Sequence, residues 1–339
     1  DITRETSAEM LDEKLQVNPD LEQNLREFFA RRKFPMPENN LKQAMLIPSA
    51  RVIPNPRGSA PGWWVQARNK IIVAMPGPPA EMQRMWQNEV FARLRSMVAG
   101  DIIVSKTLKT LTMTESGLAE KVASLTASKN PTLAIYAKPD GIQLRITAKS
   151  ASEEEASAMI AMHEDKVRSL IGDIIWGCNE ETLEGIIGKL LAEKGLTLSA
   201  MESCTGGLLS NTITDIPGSS AYFKGGFVTY TNAAKIASGV DPDLIAQHGA
   251  VSIQVAADMA RAARERLKAD IGIGITGVAG PSEMEGKPAG TVHIAIDNGK
   301  GTRNIEGRYP PLRHQVKRRA VYHALYELRR ILLQNPRAK

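Results

Sequence analysis

Leu196-Thr197-Leu198-Ser199-Ala200-Met201, then Glu202-Ser203-Cys204-Thr205-Gly206-Gly207, then Leu208-Leu209-Ser210-Asn211-Thr212-Ile213 is the stretch on which the reading of this chain turns. A compact, largely apolar run of strand length passes through two glycines into a run of helix length. This predicts a strand over Leu196–Met201 and a helix over Gly206–Ile213. A side chain on a strand-to-helix turn stands at the carboxyl end of the sheet, where open α/β sheets bind ligands. Ser203 is that side chain. The backbone N–H groups that follow it open a helix and suit a developing oxyanion, and the glycines let a substrate come close to the backbone. The plain alternative is that Ser203 or Thr205 serves only as a helix N-cap, as small hydroxyl residues commonly do.

Outward from this stretch, strands and helices alternate. The pattern reads as helix Glu181–Lys194, strand Gly226–Tyr230, helix Val255–Lys268, strands Ile271–Ile275 and Thr291–Ile296, and a long basic helix from Leu312 to about Leu333. Such alternation is the sign of a mostly parallel sheet with crossover helices. Ahead of it the order is strand, helix, strand, strand, helix, strand, a small α+β module. Leu133–Ala137 and Gln143–Thr147 alternate around Pro139-Asp140-Gly141 as a hairpin, and a helix is predicted over Ser152–Leu170. The first hundred residues read as helices Ser7–Leu15 and Pro19–Arg32, the second capped by Asn18. A proline-rich stretch follows, with a strand over Ile71–Ala74 and a helix from Ala80 to about Met97. Three domains are expected, over 1–100, 101–178 and 179–339.

A chain of 339 residues is too long for one ordinary core. With 42% hydrophobic and 24% charged residues it has the balance of a globular protein. No run approaches the ~18 consecutive apolar residues of a membrane span, and no signal-peptide core is seen, so a cytoplasmic protein with no membrane partner is expected. The two cysteines, Cys178 and Cys204, lack metal-ligand spacing and read as reduced thiols. The net charge of +6 is mild and dispersed, favouring anionic ligands only slightly. The chain opens on Asp1 rather than Met, and its first recognisable element is already an acidic helix from about Ser7, so an earlier beginning is expected.

A hydroxyl becomes a nucleophile only when a base accepts its proton. No motif ties His163, His248, His293, His314 or His323 to Ser203. Lys235 is the better candidate, in Tyr230-Thr231-Asn232-Ala233-Ala234-Lys235, which follows one strand and begins another helix. A lysine in a first helical turn is ordinarily solvated; it acts as a base only when desolvated or placed beside other cations. The segment Gly272 to Pro281 runs a strand into a glycine-rich loop able to offer N–H groups to a phosphate or carboxamide, though it lacks GxGxxG and the Walker pattern. Arg313, at the start of the last helix, has the fork that suits phosphate oxygens, and its plain reading is a solvated surface arginine. Cys204 is a rival nucleophile by type.

Taken together, Glu202-Ser203-Cys204-Thr205-Gly206-Gly207, Gly226-Phe227-Val228-Thr229-Tyr230-Thr231-Asn232 with Lys235, and Thr276-Gly277-Val278-Ala279-Gly280-Pro281 closely resemble the CinA family, named for competence/damage-inducible protein A, over roughly Glu181–Leu333. The matching part is that family's nicotinamide-nucleotide amidase domain. The resemblance implies hydrolysis of the carboxamide of nicotinamide mononucleotide, with Ser203 as nucleophile, Lys235 as base and Tyr230 beside them. It implies a substrate site formed by Thr205, Gly206, Asn232, Thr276, Gly277, Ala279, Gly280 and Arg313. Thr276 stands where relatives often have Ser. The expected partner is a small pyridine nucleotide, no cofactor is expected for the amidase, and a homodimer is expected.

Asn55-Pro56-Arg57-Gly58-Ser59-Ala60-Pro61-Gly62 and Pro76-Gly77-Pro78-Pro79-Ala80-Glu81-Met82 resemble the second half of the family's molybdopterin-binding-like domain. In relatives that domain hydrolyses ADP-ribose with a divalent metal. Its preceding strands and glycine-rich loop are not in this sequence, so a partial α/β domain is expected, with metal ligands unassigned. The middle region resembles the family's KH-type module, but Gly117, Gly141, Gly172 and Gly177 form no GxxG, the clamp such modules use on a nucleic-acid backbone. Nucleic acid is therefore not an expected partner. Two rival readings remain: a metal-dependent pyrophosphatase in the first region, and a nucleic-acid adaptor using Lys317, Arg318, Arg319, Arg329 and Arg330, which salt would weaken steeply.

Overall fold

The computed structural model describes residues 2–67, 69–97, 100–138 and 140–334. The chain packs as two compact units, Asp1–Gly100 and Asp101–Lys339. In the first, helix Pro19–Arg31 is capped as its sequence predicts: Asn18 accepts the Leu21 N–H at 3.0 Å and Pro19 opens the first turn. The helix expected over Ser7–Leu15 instead spans Ile2–Leu11. Ser7, a candidate cap by type, lies inside it and donates its hydroxyl to the Thr3 carbonyl at 2.7 Å, the back-bond that hydroxyl residues make within helices. Strands Ala50–Ile53, Gly62–Ala67 and Lys70–Ala74 form an antiparallel sheet. The helix expected from Ala80 begins at Pro79 and runs to Met97, with a wider π turn over Trp86–Val90.

The second unit contains two sheets. Strands Thr132–Lys138, Gly141–Ser150, Ile102–Thr110 and Ile175–Cys178 lie side by side in that order, all antiparallel, with helices Glu115–Lys121 and Glu153–Ile171 over one apolar face. Lys138 pairs with Gly141 to close the expected hairpin, whose Pro139 lies outside the described residues. Ser152 caps the long helix through the Glu155 N–H. Trp176, on the edge strand, is buried in the core of the second sheet. The two sheets therefore share apolar packing.

That second sheet carries the motifs. Its strands are β1 Leu198–Glu202, β2 Phe223–Val228, β3 Ile271–Gly277, β4 Thr291–Asp297 and β5 Thr302–Arg308, in the order β2-β1-β3-β4-β5. β1 is parallel to both neighbours, and β4 is antiparallel to β3 and β5. Four strands thus point one way and β4 alone is reversed. Its helices are α1 Leu183–Lys194, α2 Leu208–Thr214, α3 Asn232–Ala237, α4 Pro242–His248, α5 Ile253–Arg266 and α6 Arg313–Gln334. Every residue of β1, β3 and β4 is buried, as expected of strands covered on both faces. Leu198, Ala200, Ile271, Ile273 and Ile275 face α1, α2 and α6, whereas Met201 packs with Val255 and Met259 of α5. β5, absent from the sequence expectation, is an edge strand whose mostly exposed residues give no apolar alternation.

The glycines of Gly272-Ile273-Gly274, in the strand that leads into the glycine-rich loop, have a packing role. A Cβ at Gly272 would stand 2.0 Å from the Ala260 carbonyl oxygen, and one at Gly274 would stand 2.1 Å from that of Ala256. These alternate positions let α5 lie directly on β3. Gly274→Ala should therefore push α5 off the sheet, costing about 1–3 kcal/mol as other overpacked cores do. Gly301→Ala, with open space around the added methyl, should be silent. Thermal unfolding checks this: an unchanged midpoint for Gly274→Ala would mean the helix backbone is not in direct contact.

Candidate active site

β1 lies between β2 and β3, and the chain leaves it to β2 on one side and, later, crosses to β3 on the other. Ligand crevices of open sheets lie beyond the carboxyl ends of strands at such a reversal. The strand ends are tied together there. Ser203 N–H donates to the Ile275 carbonyl at 2.8 Å, and Thr229 N–H donates to that of Glu202 at 2.7 Å. Glu202 is fully buried, and its carboxylate accepts Leu209 N–H at 2.9 Å, Ser210 N–H at 2.8 Å and Ser210 Oγ at 2.8 Å. The first turn of α2 thereby solvates this acid and is fixed by it. An acid directly between a strand and a helix start was the available signal for it.

The helix begins at Leu208 rather than at the expected Gly206, because Gly206 and Gly207 adopt left-handed φ values of 61° and 88°. Of the N–H groups near Thr205 and Gly206 expected to face an oxyanion, one is used by the turn. Gly206 N–H donates to the Ser203 carbonyl at 3.1 Å and is taken up by the turn. Among the described residues, the N–H groups of Cys204 and Thr205 reach no backbone acceptor, and Thr205 Oγ is buried without a partner.

Lys235 is 2% exposed, so the solvated reading of this lysine does not hold. Thr231 caps α3 through the Ala234 N–H, which turns Lys235 inward at the first helical turn. Its ammonium donates to Ser203 Oγ at 3.0 Å and to the Thr229 carbonyl at 3.1 Å. Burial pulls its pKa below the ordinary 10.5, offset in part by Cys204 and Glu285. Cys204 is buried as well, and burial pushes its thiol up to about 12. Ser203 itself is 8% exposed.

Arg313 is exposed and ties two segments at the rim, donating Nη1 to the Gly280 carbonyl at 2.9 Å and Nη2 to the Tyr230 hydroxyl. Lys317, one turn along α6, lies 3.5 Å from where a Cβ on Gly206 would stand, so a second cation faces the turn. Sequence reasoning placed it only among the basic residues of the nucleic-acid adaptor reading. Thr276 is buried and gives its hydroxyl to the Ala250 carbonyl at 2.8 Å, while Glu285 accepts Ala250 and Val251 N–H at 3.0 Å each. Gly277 is forced by the sheet, since a Cβ there would meet the Thr291 carbonyl at 2.7 Å. Thr276 and Gly277 thus have structural uses. Ala279 is buried beside this loop, and Asn232 is exposed on the first turn of α3.

In the first unit, Asn55 organises its own motif, donating to Ala60 O and to Glu81 Oε2 while accepting the Arg57 and Gly58 N–H groups. Among the described residues no three His, Cys, Asp or Glu side chains are grouped to hold a metal ion. No described helix is long and apolar enough to cross a membrane.

Three family descriptions match in succession along the chain. The family description CinA C-terminal domain matches residues 180–332, that of the damage-inducible protein CinA KH domain matches 105–177, and that of a probable molybdopterin binding domain matches 1–96. A competence-damage inducible protein of Moorella thermoacetica is 44% identical over 335 residues, covering 98% of this chain and 81% of the relative. A CinA-like protein of Acaryochloris marina is 42% identical, with coverages of 98% and 81%. The crystal structure of competence/damage inducible protein CihA from Agrobacterium tumefaciens is 38% identical and covers 45% of this chain and 96% of that one, with a TM-score of 0.42. With similarity to the Moorella protein running along nearly its whole length, the chain belongs to the CinA family of competence/damage-inducible proteins.

Proposed function

We propose that the chain hydrolyses the carboxamide of nicotinamide mononucleotide to nicotinate mononucleotide and ammonia. The observation that carries this reading is the buried Lys235 amine 3.0 Å from Ser203 Oγ. Its two hydrogen-bond partners among the described residues are a hydroxyl and a carbonyl, neither of which holds the amine in its charged form as a carboxylate would. A neutral amine can take the Ser203 proton as Oγ attacks the amide carbon. The oxyanion then meets the N–H groups of Cys204 and Thr205. Collapse expels ammonia, which receives the proton back from Lys235, and a water activated by the same amine cleaves the acyl ester. Cys204 is the weaker candidate, because a thiol raised to about 12 is almost wholly protonated near neutral pH. The reaction needs no cofactor.

The choice of substrate rests on the family resemblance and on the rim. Arg313 retains N–H donors beyond those given to Gly280 and Tyr230, and Lys317 adds charge on the same side. The exposed Tyr230 ring suits a cationic pyridinium.

Ser203→Ala should cut ammonia release from the nucleotide on the order of 10⁴-fold or more, while Cys204→Ala stays near wild type. The reverse pattern would move the nucleophile to the thiol. Only the neutral amine is a base, so kcat/KM should rise with pH and level off above an apparent pKa below 10.5. Lys235→Arg, which stays charged, should be inactive; an active arginine variant would reduce the residue to an electrostatic role. Arg313→Ala should raise KM for the nucleotide on the order of ten- to a hundredfold. An equal rise for nicotinamide riboside would rule out a phosphate contact.

A further inference from the structure

The spacing of Arg319, Tyr322 and His323 puts all three on one face of α6, away from Arg313 and Lys317. That face looks onto a cavity of about 400 Å³ between the two sheets of the second unit. The opposite wall is the turn Leu111–Thr114 and the hairpin ends at Lys138 and Ile142, and the floor is the end of β5 with Arg308 and Tyr309. Nothing in the Ser203 chemistry uses this cavity.

Its lining combines two features. The first is flat, polarisable surface: Tyr309, Tyr322 and His323 contribute rings, and Met113 faces them with a thioether. Tyr309 and His323 are locked together by a 2.8 Å hydrogen bond with their rings at 74°, so this wall is fixed before any ligand arrives. The second is positive charge. Lys138, Arg308 and Arg319 line the cavity against one carboxylate, Glu306, which lies 3.7 Å from Arg308. Asp140, at the hairpin tip, faces Gln143. Lys138 and Arg319 have no ion-pair partner among the described residues. Threonine hydroxyls at 112 and 114 add neutral hydrogen-bonding groups.

We propose that this cavity binds a nucleoside monophosphate, its base against the tyrosine wall and its phosphate toward Arg319 and Lys138. The volume is in the range of small-molecule sites. Rigid rings offer stacking area without loss of side-chain freedom, and an unpaired guanidinium is the group best matched to a phosphate. The site is independent of the amidase reading.

Calorimetric titration of the full chain with AMP, GMP, CMP and UMP tests it, with adenosine as the uncharged control. At least one monophosphate should bind, and adenosine at least about tenfold more weakly than AMP if AMP is that ligand. Arg319→Gln, at an exposed position that leaves the fold intact, should weaken the monophosphate at least about tenfold. Tyr322→Phe should retain binding and Tyr322→Ala lose it. Arg313→Ala, which alters only the rim beside Ser203, should leave the affinity unchanged. No binding of any monophosphate at millimolar concentration, or binding that ignores Arg319→Gln and falls with Arg313→Ala, would overturn the assignment.

Discussion

Much of this structure is arranged around an amine that has been taken out of water with no carboxylate hydrogen-bonded to it. Lys235 has one hydroxyl and one carbonyl to bond, and burial of an ammonium with only neutral partners favours loss of its proton. Keeping it there requires that Ser203, Thr229 and the first turn of α3 hold fixed positions. Backbone bonds joining β1 to β2 and β3 supply this, through Thr229 N–H on Glu202 O and Ser203 N–H on Ile275 O. Glu202 faces the same problem with the opposite solution. Its buried carboxylate accepts three hydrogen bonds from Leu209 and Ser210 at the start of α2. Adjacent residues therefore set one acid and support one base, and both depend on the same strand-to-helix turn.

The strand, the two glycines and the helix around Ser203 were legible in the sequence because each leaves a local signal: apolar run, left-handed turn, amphipathic run. Lys235 was legible as a candidate, but its burial was not, since Ser203, which receives its hydrogen bond, lies on a segment 32 residues away along the chain. Glycine was the least readable residue. Gly206 and Gly207 serve a positive-φ turn, whereas Gly272, Gly274 and Gly277 serve close approach of a helix or a strand. A glycine-rich stretch fits both uses and a ligand loop equally well. β5 escaped because an exposed edge strand owes its pairing to β4 rather than to its own apolar pattern.

The same reasoning explains why helix starts were read less well than helix existence. Ser7 and Gly206 each look like a beginning, yet Ser7 bonds back within its helix and Gly206 belongs to the turn before one. Asn18 kept the capping role read from the sequence, and Ser152 and Thr231 cap in the same way, because each is satisfied by an N–H three residues on, with no distant partner competing.

α6 shows how one element can serve two places without adjusting to either. Val316, Ala320, Ala324 and Leu328 recur at four-residue spacing and are buried against the sheet, fixing the rotation of the helix about its axis. Once that rotation is set, the flanking residues have no freedom of direction. Arg313 and Lys317 fall toward the Ser203 turn, and Arg319, Tyr322 and His323 toward the neighbouring module. A basic helix that looked in sequence like a single charged surface thus carries two cations in line with the N-terminal end of its buried stripe and another group to one side of it. The core therefore decides which cations meet the nucleophile and which do not.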